Sequence, residues 1–115
     1  MTTSTLSVLT AAQVKEAIAA GLAQPTQEQV GGCARVYVCL YSGDDEPQFK
    51  KMIRKPVAKA CKELKKIFQV NGYGVRNAIS IGYYNGKGIE VGQAHSVMNR
   101  LKAIGVDCYV EYVGD

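Results

Sequence analysis

Eight of the fourteen lysines and arginines fall within one short stretch: Lys50, Lys51, Arg54, Lys55, Lys59, Lys62, Lys65 and Lys66. The only acid among them is Glu63, so the stretch carries +7 while the rest of the chain, six cations against nine acids, carries −3. The net charge of +4 therefore describes a mildly acidic body bearing one strongly basic segment. Localised charge points to a partner more directly than net charge does. Ammonium groups held this close neutralise phosphates, or the carboxylates of an acidic protein, without making or breaking a covalent bond.

Seven of these eight cations are lysine. That suits a solvated face as well as a binding one, because arginine is favoured for bidentate phosphate contacts. The shortage of acids argues the other way. A face that is merely solvated interleaves acids at i,i+4 to relieve repulsion, and only Glu63 is present.

No other residues form a catalytic set. Cys33, Cys39, Cys61 and Cys108 give no CxxC pair and no zinc spacing; three of them lie in apolar patterns, as reduced core thiols do. His95, the single histidine, stands just outside an apolar helix face with no nucleophile or acid assignable to it. Asp44, Asp45 and Glu46 precede a helix and are explained as its N-terminal acids. The loops Gly72-Tyr73-Gly74 and Gly86-Lys87-Gly88 lack the GxxxxGK[ST] pattern of a phosphate loop. An enzyme, a metal site and a bound cofactor are accordingly not expected.

The elements that must position the lysines follow from periodicity. Thr10 and Gln13 form a capping box, with Leu9 and Val14 placed as a hydrophobic staple. A first helix therefore runs to about Leu22, with Val14, Ala17, Ile18, Gly21 and Leu22 as its apolar stripe. The polar, glycine-closed stretch from Gln24 to Gly32 reads as a linker. Residues 1–32 thus form an N-terminal helix and linker, and 33–115 an α/β sandwich domain.

Arg35 to Tyr41 alternates as a strand. From about Pro47 to Phe68 an amphipathic helix is expected, with Phe49, Ile53, Val57, Ala60, Leu64, Ile67 and Phe68 inward. Lys51, Lys55, Lys59, Lys62 and Lys66 form the opposite stripe, and Pro56 should bend the helix. Val75 to Tyr84 is a strand, Val91 to Ile104 a second amphipathic helix capped by Gly105, and Val106 to Val113 a last strand.

With a short strand over Ile67 to Val70, the order becomes β-α-β-β-α-β, the ferredoxin-like arrangement of an α+β fold, with an extra helix in front. Both later helices should lie on one sheet face. The other face carries Tyr37, Cys39, Tyr41, Ala78, Ser80, Gly82, Tyr84, Tyr109 and Glu111. Tyr37, Tyr41, Tyr84 and Tyr109 there are candidates for a sheet-face interaction, covered by the N-terminal helix or by a second copy of the chain. They do not carry the strand signature of RNA-recognition modules.

The stretch from Ile79 to Val113 resembles half of a SPOR domain. It shares a strand with a glycine and an aromatic (Ile81-Gly82-Tyr83), a helix ending Leu101-Lys102-Ala103-Ile104-Gly105, and a closing strand. SPOR domains bind septal peptidoglycan. The resemblance covers about a third of the chain, and the first half has no matching glycine–aromatic element. It describes the course of the chain and does not carry that function with it.

The segment MTTSTLSVLTAAQ has no basic region and no long apolar run, so no signal peptide is expected. No stretch approaches the roughly 20 apolar residues of a membrane span, and a cytoplasmic protein without a membrane partner is expected. Two functions fit. The first is a small nucleic-acid-binding protein contacting phosphates through Lys51, Arg54, Lys55, Lys59, Lys62, Lys65 and Lys66. The second is a non-enzymatic protein-binding adaptor or small inhibitor acting through the sheet face or the basic helix, the latter meeting an acidic protein, with a homodimer possible across the sheet face.

Overall fold

The computed structural model describes residues 9–23, 34–41, 46–72, 74–84 and 89–114. Helix α1 spans Ala11–Leu22, strand β1 Ala34–Leu40, and a compound helix follows. Its parts are α2 (Glu46–Phe49), a π turn (Lys50–Arg54) and α3 (Lys55–Glu63). Strands β2 (Phe68–Gly72) and β3 (Val75–Tyr84), helix α4 (Ile89–Ala103) and strand β4 (Cys108–Gly114) complete the order. Residues 24–33, 42–45, 73 and 85–88 lie outside this description, and with them the expected linker, Cys33, Asp44, Asp45 and the Gly86-Lys87-Gly88 loop.

The fold is α+β. Four strands form one sheet in the order β2-β3-β1-β4, and all three pairings are antiparallel. Alternation along β1 divides the sheet's two faces. Val36, Val38 and Leu40 enter the main core with Val57, Ala60 and Cys61 of α3, Ile79 and Ile81 of β3, and Ala94, Val97 and Leu101 of α4. Tyr37 and Cys39 turn the other way, into a small second cluster with Val75 and Ala78. The β1–β3 register slips between Val36 and Tyr37. Ile81 is the extra residue of this bulge.

Helix α1 begins as the sequence dictates. Gln13 N donates to Thr10 Oγ1 at 3.1 Å, and Thr10 N donates to Gln13 Oε1 at 3.0 Å. Leu9 is partly buried against the core and Val14 is wholly buried, as a staple requires. Of the two coverings considered for the tyrosine face, the N-terminal helix is not one. Val14, Ala17 and Ile18 join the main core, and α1 lies against α3 and α4. Gly21 makes this docking close: a Cβ there would stand 2.6 Å from Val97 Cα. Gln93 Nε2 donates to Leu22 O at 2.9 Å and satisfies one of the carbonyls left open at the helix end.

Three expectations need correction. The compound helix ends at Glu63 and does not reach Phe68, because Lys65 turns left-handed at φ 60°. Ile67 is therefore 65% exposed, although periodicity had placed it inward. The alternation of Val106, Cys108, Val110 and Tyr112 places Tyr112 inward, yet it is 44% exposed: it lies on β4, an edge strand of the sheet, and its Oη meets His95 Nε2 at 3.1 Å. At Pro56, where a bend is expected, the structure shows a change of hydrogen-bond register. The π turn lies immediately before it, with Lys55 N donating to Lys50 O five residues back, so the bonding has already changed register where the proline's missing donor would fall.

Candidate nucleic-acid interface

The basic surface is built on α3. Val57, Ala60 and Cys61 are fully buried and fix which side faces the sheet. At about 100° per residue, Lys55, Lys59 and Lys62 then fall on the opposite side within an arc of about 60°, and all three are exposed. Lys51 in the π turn and Lys65 in the closing turn are exposed as well.

Two cations expected on this surface are engaged inward. Arg54 Nε donates to Asn77 Oδ1 at 3.0 Å, and its guanidinium lies 5.5 Å from the Phe49 ring centroid. Lys66 follows the end of the helix, and its Nζ donates to Ile81 O at 3.3 Å. The stripe that periodicity extends to Lys66 therefore stops at Lys62, with Lys65 beside it.

Asn77, the partner in the first of these contacts, is the buried polar residue among the described ones. It is 3% exposed and holds φ 51° inside β3, a conformation that asparagine tolerates better than most residues. Arg54 ties the end of the π turn to this point of the strand. Sequence gives no signal for this pair, which is separated by 23 residues.

Helix α1 supplies a further contact that sequence does not reveal. Lys15 Nζ lies 3.4 Å from Glu63 Oε1. The one acid of the basic segment thus faces a cation from another helix. Lys15, Glu16, Lys59 and Glu63 line an open groove between α1 and α3.

The tyrosines lie elsewhere. Tyr37 is 3% exposed within the second cluster. Tyr41 is exposed, with its ring centroid 4.7 Å from that of half-buried Tyr109. The backbone of Tyr84 pairs with Ala34, while its side chain lies outside the description. Tyr37 and Tyr109 belong to the face away from α3.

Cys39, Cys61 and Cys108 are free and buried. Burial pushes the Cys61 thiol up to about 12, with nearby Lys66 opposing. The Cys39 and Cys108 thiols are pushed up to about 11 by burial. Such thiols are inert at neutral pH. Among the described residues no group of three or more His, Cys, Asp or Glu side chains is placed to hold a metal ion. None of the described helices is long and apolar enough to cross a membrane.

Searches against protein-family models, curated proteins and solved structures find no match to the chain. The resemblance of Ile79–Val113 to half of a SPOR domain gains no support from them.

Proposed function

We propose that this protein binds nucleic acid through phosphate contacts along the outer face of α3, without enzymatic activity. The observation that carries the reading is the arrangement of charge. Lys51, Lys55, Lys59, Lys62 and Lys65 are exposed together, and the single acid among them already faces Lys15. Such a surface attracts a polyanion from a distance and binds it without sequence preference.

A ferredoxin-like scaffold is part of the same reading. It is supported by the β-α-β-β-α-β course after α1 and by the edge-to-edge order, in which the outer strands β2 and β4 flank β3 and β1.

A second reading is a protein-binding adaptor or small inhibitor. It is favoured by exposed Ile67 and Val70 around edge strand β2 and by exposed Tyr41. A binding titration with random-sequence DNA and RNA separates the two. Affinity no tighter than about 10⁻⁴ M, the weak end of non-specific binding, would remove the nucleic-acid reading and leave the protein partner.

A further inference from the structure

We infer that the ligand of the α3 surface is a double-stranded nucleic acid held by its backbone alone. This rests on the phosphate-binding reading above and narrows it.

A single strand and a duplex ask different things of a protein. Single strands are held by a basic groove combined with exposed rings on which the bases stack. A duplex hides its base faces and offers the denser row of phosphates, about one charge per 1.7 Å of axis. Among the described residues, the α3 surface supplies the second requirement and not the first.

The described aromatic side chains near α3 turn inward. Phe49 is 6% exposed beneath the Arg54 guanidinium, and Phe68 is partly buried against the main core. Tyr37 and Tyr109 sit across the sheet, in and against the second cluster, and Tyr41 is stacked on Tyr109. Tyr112 is on β4, the edge strand opposite β2, and meets His95 of α4. A strand lying along Lys55, Lys59 and Lys62 thus meets no described ring that could stack on its bases. The lysines also stand on the convex outer side of a helix, which suits a rigid partner with a regular row of charge.

The test is fluorescence anisotropy at low salt with the full chain. Its probes are a labelled random-sequence duplex about two turns long, a homothymidine strand of the same length, and the Tyr41→Ala and Tyr109→Ala variants. Four phosphate contacts, with salt exponents of about 0.9 each on a duplex and about 0.7 on a single strand, predict about tenfold tighter duplex binding near 50 mM salt. Scrambling the duplex sequence should leave that affinity unchanged, as should both tyrosine variants. Equal or tighter binding of the single strand would overturn the inference and leave the phosphate-binding reading standing. Weaker binding on loss of Tyr41 or Tyr109 would also overturn it, because the tyrosine face would then take part. Absence of binding to either probe would overturn both.

Discussion

The same hydrogen-bond pattern closes α3 and α4, once on a lysine and once on a glycine. After α4, Gly105 N donates to Lys102 O and Val106 N to Leu101 O; after α3, Lys65 N donates to Lys62 O and Lys66 N to Cys61 O. Both are Schellman closures, which place one residue in the left-handed region. Gly105 takes φ 91° and Lys65 takes φ 60°. Left-handed backbone costs a non-glycine residue about 1–2 kcal/mol. Lys65→Gly should therefore raise the free energy of unfolding by up to about 1 kcal/mol, and Gly105→Ala should lower it by about 1 kcal/mol. No atom lies within 4 Å of a Cβ built at Gly105, so backbone strain alone sets that loss. Urea unfolding of both variants reads the two signs. The glycine stop was legible because it follows an apolar stripe, whereas a lysine stop carries no signal, and this is why the expected helix overran to Phe68. The buried thiols give a separate prediction. Cys61 is pushed from its ordinary value of 9.0 up to about 12 in the folded protein. The folded state therefore holds its proton through a range in which the unfolded state has lost it. The stability contributed below pH 9 should fall away as pH rises towards about 12. Urea midpoints for Cys61→Ala should decline less steeply over that range than those of the unaltered protein.

At the scale of elements, the capping box at Thr10, the alternation in β1 and β3, and the cap at Gly105 were all legible, because each depends on neighbours in sequence. Two features were not. The π turn before Pro56 ends on Arg54, whose partner Asn77 lies 23 residues away in sequence. The placement of α1 depends on which layer accepts its apolar stripe, and the stripe is the same whether it meets helices or the back of the sheet. Gly21 settles the matter in three dimensions, since its missing Cβ lets α1 approach the backbone of α4 at Val97. Gly21→Ala places a methyl where Val97 Cα would be only 2.6 Å away, so backbone must shift. Overpacking of this kind costs about 1–3 kcal/mol. That exceeds the gain of up to about 1 kcal/mol that alanine brings within a helix. We therefore expect a net loss of stability, read as a lower urea midpoint; a raised midpoint would place α1 elsewhere.

At the scale of the molecule, the main core separates two surfaces of different character. One side carries the lysines of α3 with Lys15 of α1 beside Glu63; the other carries the tyrosine cluster. The basic segment was fully legible, because charge is read directly from composition. Which of its cations stand outward was not, because Arg54 and Lys66 are drawn in by partners on β3. The measurement that tests the central claim most directly compares the salt dependence of duplex binding for the unaltered protein and a variant with Lys51, Lys55, Lys59 and Lys62 all changed to Gln. Glutamine preserves helix propensity while removing four charges. Each lost contact should lower the slope of log K against log salt by about 0.9. The predicted slope is shallower by about two units or more, with unfolding stability unchanged or slightly raised as like charges are relieved. An unchanged slope in a variant that binds as tightly as the unaltered protein would contradict the assignment of the phosphate contacts to α3.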